Sequence, residues 1–133
     1  DPYQVCIGVA PERYSHDLIL EQGEFAINVP GFDMKEKMHK CGIISGRDKD
    51  KWEETGLTPI SAKKIRPPLV KECYGHLECK VTQHITCGDH TLIVGEVVAA
   101  SSDENVLKGD NQVLTEAKPI IQKNWDYHTV IKK

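Results

Sequence analysis

The sequence predicts a mainly β protein, a small antiparallel barrel that carries short inserted α-helices. Leu77 to Ile85 alternates apolar and polar side chains, which is the pattern of a half-buried strand. Cys87-Gly88-Asp89 then turns the chain, and Thr91 to Ala100 returns as a nearly continuous apolar strand, so the two arms form one long hairpin. Long antiparallel strands with short helices between them are typical of a small decorated barrel.

The first part of the chain is predicted to hold two strands and one helix. Tyr3 to Ala10 is apolar and β-branched enough for a buried strand, and Glu24 to Val29 is predicted as the second strand. Between them, Ser15 is a favourable N-cap for a helix over His16 to Gln22. Gly23 supplies the left-handed exit from this helix.

A second helix is predicted directly after the second strand. Asp33 followed by Glu36 has the spacing of a capping box, in which a side chain at each position bonds a backbone N–H of the other. The helix is expected to run to about Lys40, whose cation suits the negative end of the helix dipole. Gly42 is expected to end it.

A turn and a third short helix follow before the long hairpin. Ser45-Gly46-Arg47 is predicted as the turn, after which Asp50 with Glu53 caps a helix that Gly56 terminates. In the second arm of the hairpin, Gly95 interrupts the apolar run, which indicates a bulge or a close backbone approach.

Composition restricts the classes of function. The 133 residues suit one domain, and 17 basic and 20 acidic residues are intermixed at a net charge of −3, so no nucleic-acid-binding stripe is expected. No apolar run reaches the length of a membrane span, and no signal peptide is visible. Five scattered cysteines form neither a disulfide framework nor a zinc pattern, which predicts reduced thiols in the cytoplasm.

Three places carry possible chemistry. In Arg13-Tyr14-Ser15-His16, backbone N–H groups and a hydroxyl at a helix N-terminus form an anion site, or else only a serine cap beside a surface arginine. In the segment from Gly46 to Trp52, three cations, Arg47, Lys49 and Lys51, are offered to an anionic ligand, or else belong to a solvated helix start of mixed charge.

The third place is Gly88-Asp89-His90 at the tip of the hairpin. A histidine beside a carboxylate on a barrel rim orients a ligand, or else is simply a solvated loop residue. No metal site is predicted, because the spacing of the nearby cysteines and histidines fits no common ligand pattern; these residues are Cys79, His84, Cys87 and His90.

An ordered set of motifs resembles the flavin reductase-like, FMN-binding split β-barrel family over residue 1 to about residue 100. The closest subgroup resembles the flavoredoxin and archaeal flavoprotein branch. The motifs are Asp1-Pro2, ILEQGEFAINVP at Ile19 to Pro30, Cys41-Gly42, Ser45-Gly46-Arg47, Asp50-Lys51-Trp52, TGLT from Thr55, Pro68-Leu69-Val70, Glu72-Cys73, LECKV from Leu77, and GDHT with GEV from Gly88 to Val97.

The resemblance implies a single domain over residues 1–133 with an antiparallel, Greek-key-like split barrel. It also implies a homodimer that holds FMN without a covalent link, at or near the dimer interface. The family's positions place Ser15 at the FMN phosphate, Lys51 on the flavin and His90 near the flavin or the reductant, where it is the catalytic candidate. The full set of cofactor-binding candidates is Arg13, Ser15, His16, Gly46, Arg47, Lys51, Asp89, His90 and Trp125.

The implied function is that of an FMN-dependent oxidoreductase or electron carrier. NAD(P)H or a reduced carrier protein would supply electrons, and the alternative is a non-catalytic module that binds or stores FMN. The chain opens on Asp1-Pro2 without a methionine, which reads as a cut end. The N-terminal hairpin usual in the family is therefore expected to be missing, so that flavin affinity is reduced or lost unless pairing across the dimer compensates.

Overall fold

One four-stranded antiparallel sheet forms the centre of the protein. The computed structural model describes residues 1–109, 111–124 and 126–132. The sheet has the order β1-β6-β5-β2, with β1 at Gln4–Val9, β2 at Glu24–Val29, β5 at Gly75–Cys87 and β6 at His90–Ser102. Three two-strand ribbons surround it: β3 (Pro59–Ile60) with β4 (Leu69–Val70), β7 (Leu107–Lys108) with β8 (Asn111–Gln112), and β9 (Ile121–Lys123) with β10 (Asp126–His128). The mainly β, antiparallel fold is confirmed.

The predicted long hairpin is the pair β5 and β6. Gly88 adopts φ +62° at the turn, a left-handed conformation that glycine allows without a steric penalty. Cys87 pairs with His90 at the tip, and the ladder runs back from there with register shifts at Glu78/Cys79 and Val81/Gln83. These shifts increase the local twist and bend the hairpin, as bulges do. Beyond the second shift, residues 82–90 are all exposed.

The sheet's core explains why the second arm carries a glycine. Phe25, Cys79 and Ile93 form the buried cluster, and side chains from β1 and from the first helix pack around it. A Cβ placed on Gly95 would lie 2.6 Å from two ring carbons of Phe25 and 3.1 Å from the Cβ of Cys79. The predicted close approach at Gly95 is confirmed, and its partner is the aromatic ring of β2.

Strand β1 was predicted to be buried, and that prediction is wrong. Its residues alternate between exposed and half-buried along Gln4–Val9. The reason is that only one face of β1, which carries Val5, Ile7 and Val9, packs against the core, while the alternate side chains point to the other face of the sheet.

The first helix, α1, spans Tyr14–Gln22 and begins earlier than predicted. Arg13 occupies the N-cap with extended backbone and no side-chain cap, so Ser15 lies inside the first turn and the predicted serine cap is wrong. A backbone turn in which Arg13 N–H donates to Ala10 carbonyl at 3.0 Å brings the chain into the helix before Ser15 is reached. Gly23 ends the helix at φ +68°, as predicted.

The second helix, α2, spans Lys35–Ile43 and follows a 3-10 turn at Phe32–Met34. Its N-cap is Met34 without a side-chain hydrogen bond, so the capping box from Asp33 is wrong: the 3-10 turn already takes up the residues that a cap would need. Gly42 lies inside α2 without a positive φ, and the helix ends when Ile44 turns to extended backbone.

The third helix, α3, spans Lys51–Thr55 and follows its prediction closely. The Asp50 carboxylate accepts a hydrogen bond from Trp52 N–H at 2.8 Å, and Gly56 closes the helix at φ +62°. A fourth short helix, α4, spans Leu114–Ala117. None of the helices in the described ranges is long and apolar enough to cross a membrane.

Candidate functional site

A cleft of about 1010 Å³ opens between the N-terminus of α1 and the segment that joins α2 to α3. Five of the residues predicted to bind the cofactor line it: Arg13, Ser15, Gly46, Arg47 and Lys51. Its apolar wall includes Leu57 and Val70. The two segments are more than twenty residues apart in sequence, so the tertiary structure unites two candidate anion sites that were weak separately.

The N-terminus of α1 faces this cleft. The N–H groups of Tyr14 and Ser15 belong to the first helical turn, where no carbonyl lies one turn earlier within the helix to accept them. The Ser15 side chain is exposed beside them. Together with the positive end of the helix dipole, this is a favourable environment for an anion.

The opposite wall is the turn that contains Gly46 and Arg47. A Cβ on Gly46 would lie 3.1 Å from the Tyr14 ring, so the absence of a side chain lets the turn lie flat against this ring. The Arg47 guanidinium carbon is 5.5 Å from the centre of the same ring, in the range of a cation–π contact. Local packing therefore directs a cation to the mouth of the cleft.

Lys51 is fixed by the end of the neighbouring helix. It is the first residue of α3, and its Nζ donates to the Cys41 carbonyl at 2.6 Å in the last turn of α2. The negative end of the α2 dipole stabilises the ammonium there. An ammonium group has further N–H donors, so Lys51 can bind an anion in the cleft while it keeps this bond.

The other lysines near the cleft are paired with a carboxylate. Glu54 accepts Lys40 at 2.9 Å and Lys49 at 3.3 Å. Hydrogen bonds from Lys40 first and Lys49 second hold the pKa of the Glu54 carboxyl below its ordinary value. The mixed-charge alternative is therefore correct for Lys49, whereas Lys51 has a carbonyl as its partner.

His16 does not line the cleft. Its Nε2 lies 3.0 Å from the Thr91 hydroxyl on β6, and its Nδ1 lies 3.0 Å from an Asp17 carboxylate oxygen. The imidazole thus ties α1 to the hairpin. The pKa of Asp17 is lowered, chiefly by the hydrogen bond with His16 and also by the charge of Arg47.

His90 and Asp89 lie at the exposed hairpin tip and also do not line the cleft. The Asp89 carboxylate is 2.8 Å from His90 Nδ1, and this hydrogen bond is the main reason that the pKa of Asp89 is lowered. The carboxylate orients the ring, so that Nε2 is the nitrogen left for a ligand. Trp125 lies outside the described residues.

Two residues near the cleft carried no recognisable signal in the sequence: Tyr14 lines the cleft, whereas Asp17 does not. Tyr14 supports Gly46 and Arg47, and Asp17 accepts an Arg47 hydrogen bond at 3.2 Å across thirty residues of sequence. In the sequence both look like ordinary helix residues, and only the fold brings the turn at residues 46–48 against them. Within the described ranges, no group of three or more metal-binding side chains comes together.

The fold defines a split β-barrel protein with an open cleft beside its sheet. A split barrel domain from Shewanella frigidimarina superposes with a TM-score of 0.89 at 24% identity, covering 99% of this chain and 69% of that chain, which shows the fold. This chain belongs to the family of the flavin reductase like domain, whose model matches residues 1–127.

Three further proteins are similar to this chain over nearly all of its length. Flavoredoxin from Methanosarcina acetivorans has a TM-score of 0.91 at 28% identity, covering 99% of this chain and 71% of that chain. An FMN-binding protein from Thermus thermophilus, with bound p-hydroxybenzaldehyde, has a TM-score of 0.86 at 27% identity, covering 100% and 72%. A ferric-chelate reductase (NAD(P)H) of Archaeoglobus fulgidus is 30% identical over 132 residues, which are 98% of this chain and 69% of the relative.

Proposed function

We propose that this protein binds FMN without a covalent link in the cleft and passes electrons through it, as an FMN-dependent oxidoreductase or electron-transfer protein. Its family and its structural neighbours support a flavin-related redox role. The observation that carries the FMN assignment is the convergence of the α1 N-terminus, Arg47 and Lys51 on one cleft in a chain of net charge −3. Such a donor set suits a phosphate group.

The residues present fit the two ends of FMN. The hydroxyl of Ser15 and the first-turn N–H groups would donate to the phosphate, while Lys51 and Arg47 would neutralise its charge. Leu57 and Val70 would offer apolar contact and exclude water. When bound, the flavin supplies the redox chemistry, taking electrons from NAD(P)H or a reduced carrier protein and releasing them to an acceptor.

One absorbance experiment tests this proposal. The purified protein, titrated with FMN and then washed free of unbound ligand, should retain the oxidised flavin band at about 450 nm. Addition of NADH, NADPH or a reduced carrier protein should bleach this band. A preparation that stays colourless after exposure to FMN would refute the proposal.

A non-catalytic FMN-binding or storage module is the second candidate. It is favoured by the position of His90, which lies at the exposed hairpin tip and outside the cleft. A module of this kind would hold the flavin and show the same absorbance band. No electron donor would bleach it at a catalytic rate, so the same experiment separates the two candidates.

We also propose that the protein is a homodimer, with the far half of the long hairpin in the interface. Residues 82–90 are exposed without a break, and the Ile85 side chain is 64% exposed. A second copy of the chain that covered the far half of the hairpin would remove the apolar surface of Ile85 from water. It would also place His90 at a subunit boundary, where the partner's cleft becomes available to it.

Ile85→Asp is expected to shift the protein from dimer to monomer, because a carboxylate would be buried without a partner in such an interface. Sedimentation velocity at several protein concentrations measures this shift. The matched control is Ile43→Asp, since Ile43 is 61% exposed at the end of α2, away from the hairpin. Identical masses for wild type and Ile85→Asp would contradict the proposed interface.

His90→Asn is expected to slow reduction of the flavin at least about tenfold while the Kd for FMN changes less than about threefold, since we assign the ring to orientation and electron transfer. Stopped-flow bleaching gives the rate, and fluorescence titration gives the Kd. Asp89→Asn is the companion variant, because it keeps the ring and alters the carboxylate that orients it. Equal losses in both quantities for His90→Asn would contradict this role.

We propose that the protein works in a reducing compartment, the cytoplasm, and the state of its cysteines supports this proposal. All five are free thiols. Burial first, and the nearby charges of Glu72 and Cys41 next, raise the pKa of the Cys73 thiol to about 11. This thiol therefore stays protonated and unreactive at neutral pH.

A further inference from the structure

Arg47 is held from two sides by residues of α1. Its guanidinium Nη2 donates to the Asp17 carboxylate at 3.2 Å, and its guanidinium carbon lies 5.5 Å from the centre of the Tyr14 ring. The Arg47 side chain is still 49% exposed, so the contacts leave much of the guanidinium open. An arginine so constrained retains N–H donors directed elsewhere, because the guanidinium fork is rigid and planar.

The same carboxylate reaches the hairpin through His16. One Asp17 oxygen contacts His16 Nδ1 at 3.0 Å while the other accepts Arg47, and His16 Nε2 contacts the Thr91 hydroxyl at 3.0 Å. Thr91 is buried and directly follows His90. Asp17 is thus the shared member of a hydrogen-bonded series that joins the cleft wall, α1 and β6.

We propose that Asp17 is a positioning residue of the FMN site: it holds Arg47 at the mouth of the cleft so that the guanidinium meets the phosphate of the ligand. This inference rests on the proposed function. An exposed arginine otherwise loses rotamer entropy when it grips an anion, and prior immobilisation by Asp17 and Tyr14 reduces that loss.

The Asp17 charge would also repel the phosphate directly. This repulsion would weaken FMN binding, whereas the positioning of Arg47 strengthens it. The Asp17 side chain is 62% exposed, so solvent and salt screen its repulsion of a phosphate. Its hydrogen bond to Arg47 acts at contact distance and is screened less. Positioning therefore dominates, and the two effects separate when Arg47 is removed, because only the repulsion persists.

The test compares FMN with riboflavin, which lacks the phosphate. Asp17→Asn keeps an oxygen for His16 and removes the charge that holds Arg47. It should weaken FMN binding by about 3- to 10-fold, the effect of freeing one rotamer-rich side chain, and leave riboflavin binding unchanged. In an Arg47→Ala background, the same substitution should cause no loss of FMN affinity.

Three results of the binding experiment would overturn the inference: tighter FMN binding by Asp17→Asn, equal losses for FMN and riboflavin, or the same loss in both backgrounds. If wild type binds no FMN, the proposed function fails, and with it a role for Asp17 at an FMN site. An NMR measurement on the ligand-free protein then still tests whether Asp17 holds Arg47. The heteronuclear NOE of the Arg47 side-chain N–H should fall in Asp17→Asn. That of Arg66, held by Glu24 and the Gln22 carbonyl, should not change. An unchanged Arg47 value would show that Asp17 does not position it.

Discussion

Gly95→Ala is expected to destabilise the protein by about 1–3 kcal/mol through overpacking of the core. The new methyl carbon would lie 2.6 Å from the Phe25 ring on one side and 3.1 Å from the Cys79 Cβ on the other. Phe25 is 4% exposed and Cys79 is fully buried, so neither side chain can move toward solvent. Urea denaturation followed by circular dichroism measures the change in the free energy of unfolding.

The matched control is Gly42→Ala. Gly42 lies inside α2, no atom beyond its own helix lies within 4 Å of its Cβ position, and its φ is not positive. Alanine is the better helix former, so this variant should stabilise the protein, by up to about 1 kcal/mol. Phe25→Leu combined with Gly95→Ala should cost less than the sum of the single changes, because the smaller side chain makes room for the methyl group. Strict additivity would contradict the ring contact.

Lys51→Ala is expected to weaken FMN binding by about 1.5–3 kcal/mol, which is about 10- to 150-fold, through the loss of a charge-assisted contact with the phosphate. Fluorescence titration of wild type and variant measures it. The loss should shrink at high salt, since part of the interaction is electrostatic.

Lys37→Ala is the control for the Lys51 variant. Lys37 also donates a hydrogen bond from its Nζ to a backbone carbonyl, that of Gly56 at 3.2 Å, and it does not line the cleft. If Lys51 acts only as a support for the end of α2, the two variants will bind FMN equally well. If it contacts the phosphate, the Lys51 variant alone will lose affinity.

The order of strands and helices was largely readable from the sequence. The hairpin of β5 and β6 follows from alternation and a glycine turn, and α3 follows from Asp50 and Gly56. Helix starts were less readable. Ser15 is a favourable cap by composition, but the preceding turn begins α1 earlier, and the 3-10 turn before α2 displaces the cap expected from Asp33.

The residues of the candidate site also fall into two groups, those that could be predicted from the sequence and those that only the structure shows. The sequence predicted Ser15, Arg47 and Lys51 as binding residues, because hydroxyls, cations and helix starts can be recognised in a sequence. It also marked His16, which the fold directs to Thr91 and away from the cleft. The sequence did not identify Tyr14 and Asp17 as part of the site, because each acts through a contact with a turn that is distant in sequence.

The sequence by itself determined the class of fold and the family, because strand periodicity, turn glycines and ordered motifs are properties of neighbouring residues. The tertiary structure alone decided that the α1 N-terminus and the turn at Gly46 enclose one cleft, and that Lys49 is paired with Glu54 whereas Lys51 is not. The physical reason is that charge pairing, burial and ring contacts depend on distances between segments, which sequence spacing does not specify.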